Sequence, residues 1–530
     1  MSLDAYVARQ IWRSMTSLGL CCLGKVPRGP FLCALWLTAS VVLSTSSAQA
    51  AGKATVYPPP AGLLPSAEYS VRVDGKPVFV YDNPSAAIVS FDISGEVDVE
   101  IQPKRDVKWV DIRPRQRGVR GRIEDGRIEF SLSRPAKLSV ELNGEFKSGP
   151  RKPLFVFANA TESNPLEGPS PGVHYFGPGK VHDMGVLQVQ SGETVYIAGG
   201  AVVKGAIRGV NVKDVTVRGH GIIDASQHPE PADGEFFRFI DFRDSQNITV
   251  EGVTLSNATS WQVIPDNVDG FHVRNVKIVS NNPTDDGIDI VRSRRVLIED
   301  VFVHTKDDCI AIKAFGPGAG GPEDPGVDDV RVIDSVFWNT DWGNALEIGF
   351  ELRSPFVQNI TFHNNDIIRV ERGAVFAIHN ADVATVRNVL VDRLRIEDAR
   401  HKLFDLAIVL SKYSVDAPKD PQESERRYLH GAWDGVLTLN PVQRQAHASA
   451  RGQIRDITLR NVEVTDGLFP FSLFHGYDEQ HQIRNVSVEN LRVHGAVVRG
   501  LENARFRLHE AEGIRVVSHT KPSGRHGRPR

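Results

Sequence analysis

The sequence predicts an all-β protein in which a small β-sandwich domain precedes a long solenoid of strands. Short segments with alternating apolar and polar residues fill residues 54–160, and a loose repeat recurs from residue 217 to residue 488. Hydrophobic residues make up 41% of the chain, charged residues 24%, and the net charge is -3. This composition is that of a globular protein. It argues against a disordered chain and against a dedicated nucleic-acid binder.

The N-terminus has the layout of a secretory signal. An apolar run occupies residues 31–44, Lys25 and Arg28 precede it, and the small-residue sequence 48–50 follows with the spacing of a cleavage site. A short membrane anchor is the alternative, although the run is too short to span a bilayer comfortably. We therefore expect residues 1–50 to be a signal peptide and the mature protein to be secreted or periplasmic, without a membrane contact after cleavage.

The segment 54–160 predicts the β-sandwich. Residues 68–83 and 121–145 alternate apolar and polar side chains, with Asp-Gly or Asn-Gly dipeptides at the turns. Short strands separated by such turns are typical of a sandwich. Two roles remain open for this domain, which are binding of carbohydrate and capping of the solenoid.

The repeat predicts a solenoid over residues 165–510. Its core is an apolar residue, two mostly polar positions and another apolar residue. The instances begin at residues 217, 250, 273, 298, 333, 362, 391, 459 and 488. The residues are β-branched with little helical periodicity, so the stacked units are strands. Loops account for the longer steps, and the stretch 411–453 is expected to hold one coil plus a polar excursion. The basic residues 511–530 are expected to be a disordered tail.

Two acidic motifs are the candidate chemistry. The first contains Asp285, Asp286 and Asp289, and the second contains Asp307 and Asp308. Asp307 follows Asp286 by about one coil, so their side chains should lie on neighbouring rungs, roughly 4.8 Å apart. Clustered carboxylates raise at least one pKa, which leaves one group as an acid and another as a base. Glycosidic hydrolysis needs such a pair. A Ca²⁺ site and a solvated turn are the alternatives.

Residues 256–291 and 296–315 closely resemble the polygalacturonase-like family 28 of glycoside hydrolases, within the pectin-lyase-like superfamily. The resemblance implies a right-handed parallel β-helix, an inverting hydrolase acting on a polysaccharide, and no cofactor. It also implies the roles of three residues. Asp307 would be the general acid, and Asp286 together with Asp308 would activate water. Inverting enzymes separate acid and base by about 6.5–9.5 Å, so we expect that spacing here.

Two departures from the family pattern concern the substrate. In the stretch 342–351 the family's His is absent, Glu347 stands where a Ser is expected, and Trp342 and Asn344 lie nearby. We expect these three residues to bind substrate.

In the stretch 375–380, Phe376 and His379 stand at the positions where the family places two cations that bind a galacturonate carboxylate. Their loss predicts a neutral or modified sugar. His379 is a further substrate-binding candidate, whose charge we expect only below about pH 6.5. Lys313 is the last substrate-binding candidate.

Four further residues carry expectations. Cys309 should point into the core and has no partner for a disulfide after signal cleavage, Trp261 should pack between coils, and His304 and Lys306 could line the cleft. We expect no metal, no nucleic-acid partner and a monomer. The alternatives to a hydrolase are a polysaccharide lyase on the same β-helix and a non-catalytic carbohydrate-binding solenoid.

Overall fold

The computed structural model describes residues 53–144, 152–226, 238–420, 429–430 and 436–518. Three large β-sheet assemblies make up this part of the chain. They are a six-stranded sheet, a five-stranded sheet and a continuous 31-stranded stack, besides one two-stranded sheet. The expected signal peptide lies outside these residues. In the described parts of the chain, no helix has both the length and the hydropathy to cross a membrane.

The first two sheets form the N-terminal sandwich. Its strands are β1 (Lys53–Val56), β2 (Tyr69–Val73), β3 (Lys76–Val78), β4 (Val80–Asp82), β5 (Ala87–Ser94), β6 (Val97–Pro103), β7 (Val110–Arg113), β8 (Arg122–Glu124), β9 (Arg127–Leu132), β10 (Ala136–Leu142) and β11 (Leu154–Ala160), with a 3₁₀ turn at Arg115–Arg117. One sheet has the order β1-β5-β11-β10-β7, with β4 beside β5, and the other has the order β3-β2-β6-β9-β8. Their inner faces enclose a common apolar core.

The stack is a parallel β-helix with three sheets along its length, and five long strands pass from one sheet to the next. These five are β13 (Val181–Gln188), β15 (Val202–Val210), β31 (Phe356–Val370), β33 (Thr385–Ile396) and β37 (Gln453–Val464). β13 and β15 join the second and third sheets, and the other three join the first and second. The shorter strands of the first sheet are β12 (Val173–Phe176), β14 (Thr194–Ile197), β16 (Lys213–Arg218), β19 (Gln246–Glu251), β22 (Asp269–Arg274), β25 (Arg294–Glu299), β28 (Val327–Ile333), β39 (Ile483–Glu489), β43 (Ala511–Glu512) and β44 (Arg515–Val517).

The second sheet faces the sandwich, and the third sheet carries the acidic motifs. The second sheet contains β17 (Ile222–Asp224), β20 (Thr254–Ser256), β23 (Lys277–Val279), β26 (Phe302–Thr305), β29 (Val336–Asn339) and β40 (Arg492–Val493), which also pairs with β41 (Ala496–Val497). The third sheet contains β18 (Ile240–Arg243), β21 (Val263–Asp266), β24 (Ile288–Val291), β27 (Ile310–Ala314), β30 (Leu346–Leu352), β32 (Ala374–Asn380), β34 (Lys402–Ile408), β38 (Phe471–His475) and β42 (Phe506–His509).

The repeat seen in the sequence is the turn between the first and second sheets. Each instance lies where the chain passes from the first sheet to the second, either at the end of a strand or inside β31, β33 or β37, and contains a residue with positive φ. These residues are Gly219, Gly252, Asn275, Asp300, Asp334, Asn364, Arg393, Asn461 and Asn490. Gly, Asn and Asp tolerate this backbone conformation better than other residues, which explains why they recur there. The fold class predicted from the sequence, a right-handed parallel β-helix preceded by a sandwich, is confirmed.

Two details differ from expectation. β33 pairs directly with β37, so the stretch 411–453 holds no additional coil. Its described part instead contains β36 (Leu437–Thr438), which pairs with β35 (Leu429–His430), and the helix α1 (Pro441–His447), followed by a 3₁₀ turn at Ala448–Ala450. A further 3₁₀ turn spans Leu501–Asn503. Residues 511–517, expected to belong to the tail, form β43 and β44, which pair with β39.

The sandwich packs against the side of the β-helix. Phe155 and Phe157 on β11 make edge contacts with Phe302 of the second sheet, at ring-centroid distances of 4.9 and 5.2 Å. Val202 and Ile368, which lie many coils apart, join the same apolar cluster. The sandwich therefore covers the flank of the solenoid over several coils rather than capping its end. That the sandwich and the solenoid are separate folding domains stays a prediction.

Candidate active site

The acidic motifs lie where the chain enters two neighbouring strands of the third sheet. Asp286 precedes β24 and Asp308 precedes β27, and these strands are paired in parallel register. The Gly287 amide donates to the Asp308 carbonyl at 2.8 Å, which fixes one turn directly above the other. Along β24 the side chains of Ile288 and Ile290 point into the solenoid core, so Asp289 projects outward. The third sheet thus presents its outward side chains as the floor of the site.

Three carboxylates meet at this point. One oxygen each of Asp286, Asp307 and Asp308 lies within 4.8 Å of the other two. Asp286 is 3% exposed and Asp308 is 7% exposed, whereas Asp307 is half-buried. The oxygens are closer than the 6.5–9.5 Å expected between an inverting acid and base, a difference that matters for the stereochemistry below.

Burial and like charge act together on these groups. Burial, followed by the neighbouring charges of Asp289 and Asp307, raises the pKa of Asp286 well above its usual range. The pKa of Asp308 rises in the same way, with Glu347 as the largest neighbouring charge. The pKa of Asp289 is raised to about 7, again chiefly by burial. The cluster therefore binds protons far more readily than exposed carboxylates do.

Asp285 is fully buried and faces away from this cluster. Its carboxylate accepts from Ser280 Oγ at 2.6 Å and from the Asn282 amide at 2.9 Å. It also accepts from the amides of Lys306 and Asp307, at 2.9 and 3.0 Å. Burial raises its pKa to about 7, although these donors oppose the rise. Asp285 thereby holds the turn that presents Asp307, a role that sequence reasoning missed.

Two glycines permit the close approach of the turns. A Cβ atom on Gly287 would lie 2.4 Å from the Cys309 carbonyl oxygen. Gly343 has a φ of +41°, and a Cβ atom there would lie 2.5 Å from Asp307 Oδ1. Any side chain at either position would separate the coils that bring the carboxylates together.

Asn344 links Asp308 to the next coil. Its backbone amide donates to Asp308 Oδ1 at 2.6 Å, and its side-chain amide donates to Glu347 Oε2 at 3.0 Å. Its side-chain oxygen Oδ1 accepts from the Ala374 amide at 2.8 Å. Asn344 is only 7% exposed, so it acts mainly by holding Asp308 in place.

A row of alternating charges continues along the sheet from Glu347. His379 lies between two carboxylates, with Nδ1 3.0 Å from Glu347 Oε1 and Nε2 3.1 Å from Asp405 Oδ2, and Lys402 pairs with Asp405. Phe350 stacks on the imidazole at 4.8 Å. All four charged groups are nearly or fully buried. The contacts of Glu347 and His379 in this structure are therefore with other protein groups. Their role in substrate binding stays a prediction.

The state of His379 differs from the sequence-based expectation. Burial alone would lower the pKa of His379, but the carboxylates of Glu347 and Asp405 outweigh it and raise that pKa to about 10. The imidazole is thus charged well beyond pH 6.5, and both neighbours balance its charge.

The expected position of Phe376 is wrong, because its side chain points into the solenoid core. Ile378 also lies in that core, so the outward positions of β32 are Ala377 and His379. Alternation along β32 determines which side chains point outward. The sequence of residues 375–380 does not show this alternation, because small and apolar residues occupy both faces of the strand.

Lys313 lies beside the cluster. Its Nζ is 4.0 Å from Asp286 Oδ2, 3.5 Å from Glu351 Oε2, and 4.9 Å from the centre of the Trp261 ring. Arg238 lies 4.8 Å from the same ring. Trp261 is half-buried and lies between cations from coils on both of its sides, so the expectation that it packs between coils stays a prediction.

Trp342 is the most exposed residue of the predicted set. It is 40% exposed, and Lys306 Nζ lies 5.2 Å from its ring centre. His304 does not line the cleft. Its Nδ1 donates to the Ser280 carbonyl oxygen at 2.9 Å, and its ring packs against Trp338 and Phe155 at 4.9 and 5.3 Å. Burial lowers its pKa to about 4.

Cys309 is a free cysteine and fully buried in the solenoid core, as the strand alternation predicts. Burial raises its pKa above the usual range of a thiol. It takes no part in the surface of the site.

The fold is that of a right-handed parallel β-helix protein, and the carboxylate cluster lies on the outer face of its third sheet. The solved structure of Dex49A from Penicillium minioluteum superposes with a TM-score of 0.62 at 16% identity, over 87% of this chain and 96% of that one. Residues 187–389 match the model of Glycosyl hydrolases family 28. The family resemblance inferred from the sequence is confirmed over this segment.

Curated relatives agree with the family model. A polygalacturonase of Prunus persica is 27% identical over 159 residues, which are 26% of this chain and 40% of that protein. An endo-polygalacturonase of Pectobacterium carotovorum subsp. carotovorum is 23% identical over 254 residues, or 48% and 56% of the two chains. This chain thus spans about half the length of the curated relatives that it matches.

Proposed function

We propose that this protein is an exported glycoside hydrolase that cleaves O-glycosidic bonds in a polysaccharide with inversion of configuration. The observation that carries the proposal is the meeting of Asp286, Asp307 and Asp308 on two neighbouring coils, inside a region that matches a glycoside hydrolase family. Burial and mutual repulsion raise the pKa of members of such a cluster, so one carboxyl group can hold a proton while another is ionised, as acid–base hydrolysis requires.

Asp307 is the proposed general acid, and Asp286 with Asp308 is the proposed base. Asp307 is the half-buried member, so its proton can reach the glycosidic oxygen of a bound chain. A water that donates to two carboxylate oxygens at about 2.7 Å each spans up to about 5.4 Å. The oxygens of Asp286 and Asp308 lie within 4.8 Å, which suits such a water. Its oxygen bonds to the anomeric carbon as the glycosidic bond breaks, one proton passes to the base, and Asp307 gives its proton to the leaving oxygen.

The proposed substrate is a neutral or modified sugar. A galacturonate carboxylate needs a cation with unsatisfied charge. At the outward positions of β32, Ala377 has no charge, and His379 already has a carboxylate on each ring nitrogen. Trp342 presents a 40% exposed ring on which a sugar face could stack. Since the curated relatives are named polygalacturonases, polygalacturonate is the informative comparison substrate.

The test is a panel of purified polysaccharides, including neutral α-glucans, α-galactans and polygalacturonate, with product sizing. We expect faster hydrolysis of a neutral glycan than of polygalacturonate. Efficient cleavage of polygalacturonate would overturn the neutral-sugar assignment. Products that absorb as unsaturated sugars would identify a lyase, binding without turnover would identify a carbohydrate-binding solenoid, and loss of activity in EDTA would identify a required cation.

Proton NMR of the first product decides the stereochemistry. Retaining enzymes place their carboxyl groups about 5–5.5 Å apart, and the cluster is nearer to that spacing than to the inverting range. We expect the opposite anomer to the substrate, because the close pair Asp286 and Asp308 holds a water. Product with the substrate's configuration would instead assign one of them as a nucleophile.

A further inference from the structure

Lys313 occupies an irregular point of the third sheet that is shaped around its ammonium group. β27 and β30 run in register at Ile312 and Ile348, but two residues later in β27 the partner is four residues later in β30, at Leu352. The extra residues of β30 form a bulge opposite Lys313. Bulges beside active sites commonly re-aim side chains.

The bulge supplies two of the contacts of this lysine. Lys313 Nζ donates to the Gly349 carbonyl oxygen at 3.3 Å and lies 3.5 Å from Glu351 Oε2. On its other side Nζ lies 4.0 Å from Asp286 Oδ2. Lys313 is 6% exposed, so bulk water screens these charges weakly. The lysine is therefore shared between a carboxylate of the bulge and a carboxylate of the acidic cluster.

We propose that Lys313 is a positioning residue that keeps Asp286 as the ionised, proton-accepting member of the cluster, with Glu351 setting how much of the lysine's charge Asp286 receives. This inference rests on the proposed function and deepens it, because it explains how three neighbouring carboxylates take different roles. It differs from direct substrate binding, since both charged contacts of Lys313 are with protein groups.

The carboxylates around Lys313 all favour its charged form. Burial alone would lower the pKa of Lys313, but the carboxylates of Glu351 and Asp286 outweigh it and raise that pKa well above its usual range. Asp289 and Asp308 act on Lys313 in the same sense. In return, Lys313 opposes the rise that burial, Asp289 and Asp307 cause in the pKa of Asp286. Arg238, which lies two coils before Asp289, also opposes the rise in the pKa of Asp289.

The first test compares pH profiles of kcat/KM on whichever glycan the wild-type protein hydrolyses best. In Lys313→Met the acid limb should move to higher pH by about one unit or more, because Asp286 loses the cation that favours its charged form. Lys313→Arg should restore most of the shift. Glu351→Gln should move the limb in the opposite direction, to lower pH, because the lysine is released toward Asp286.

A matched control is Lys213→Met, which removes the same charge from an exposed site on the first sheet and should leave the limb in place. Circular dichroism establishes that each variant is folded. If Lys313→Met raises KM with an unmoved acid limb, the lysine is a substrate ligand and the inference is wrong. An equal loss at every pH in Lys313→Met, with no opposite shift in Glu351→Gln, would also overturn it.

A second measurement needs no substrate. Protein labelled with ¹³C at aspartate carboxyl groups is titrated by NMR, with the signal of Asp286 assigned by its absence in Asp286→Asn. The apparent pKa of that signal should be about one unit or more higher in Lys313→Met than in the wild type. If no glycan is hydrolysed but this shift is found, the proposed function fails and the role of Lys313 stands. An unshifted signal removes the inference whether or not the protein is a hydrolase.

Discussion

The outward faces of the second and third sheets both bury charged side chains, but they do so in opposite ways. Against the sandwich, Arg113 lies 3.2 Å from Glu397 and 3.6 Å from Glu141, and Lys137 pairs with Asp300 at 2.7 Å. These three contacts pair opposite charges, while the buried Lys277 on the same face donates instead to Asn159 Oδ1 and to the Asn275 carbonyl oxygen, both at 3.0 Å. Paired burial is the arrangement expected of a structural interface.

On the third sheet, like charges are brought together instead. Asp286, Asp307 and Asp308 meet within 4.8 Å, with Asp289 beside them and Lys313 as the nearby cation. Such crowding of like charges lowers the stability of the fold, so it is expected where carboxyl groups with perturbed pKa values act in catalysis. The comparison teaches that, in this fold, the balance of buried charge distinguishes the interface from the candidate active site.

The largest effect should come from removing the proposed acid. Asp307→Asn should lower turnover by roughly 10²–10⁴-fold, the usual contribution of a general acid. Its stability should be unchanged or slightly higher, because one of three crowded charges is lost. Steady-state kinetics and thermal unfolding on the same preparation measure both quantities. Wild-type turnover would remove Asp307 from the mechanism.

The matched change at the interface between the sandwich and the β-helix should have the reverse outcome. Arg113→Met leaves the carboxylates of Asp111, Glu141 and Glu397 without their shared cation. Breaking a buried pair by removing one partner costs about 3–5 kcal/mol, so chemical denaturation should show a loss of that order. Turnover per folded molecule should stay near the wild-type value. Lost turnover with full stability would mean that the two faces do not differ as proposed.

Two adjacent aspartates allow the comparison inside one turn. Asp285→Asn places an amide against four hydrogen-bond donors and should cost about 1–3 kcal/mol of stability. Its effect on turnover should be smaller than that of Asp286→Asn, which in turn should cost little stability. Denaturant titration and kinetics of the two variants check this. Equal profiles for both would contradict the division of roles.

Sequence patterns predicted the solenoid because every coil repeats the same arrangement of apolar and turn residues. Apolar residues fill the interior, and a Gly, Asn or Asp adopts positive φ at the same turn, as at Asn275, Asp300 and Asn461. One-coil spacing likewise predicted that Asp286 would lie beside Asp307. Both features are local or repeat at a fixed interval, so one chain suffices to see them.

What the sequence did not show depends on contacts between distant segments. Lys137, Ser139 and Glu141 alternate like a solvent-facing row, yet β10 is buried on both faces because the solenoid covers them. The register of β32 was misjudged because Ala377 gives no polar signal on the outward face. The bulge that brings Glu351 to Lys313 leaves no periodic trace, since it is defined only by the strand beside it.

The smallest expected effect concerns the buried row of alternating charges on the third sheet, in which His379 lies between Glu347 and Asp405. The pKa of His379 is raised to about 10 in the folded protein, against about 6.5 when unfolded. A raised folded-state pKa contributes stability that is fully present below pH 6.5 and is lost as pH rises toward 10. Relaxation of Glu347 and Asp405 should limit the loss to about 2 kcal/mol, or a few degrees in Tm.

Tm measured at pH 6, 8 and 10 should therefore fall more in the wild type than in His379→Gln, which should be less stable at pH 6. His272→Gln, on the first sheet, is the control and should follow the wild type. Parallel curves for wild type and His379→Gln would mean that the imidazole is not held as a cation, and a site open to an anionic sugar would have to be considered again.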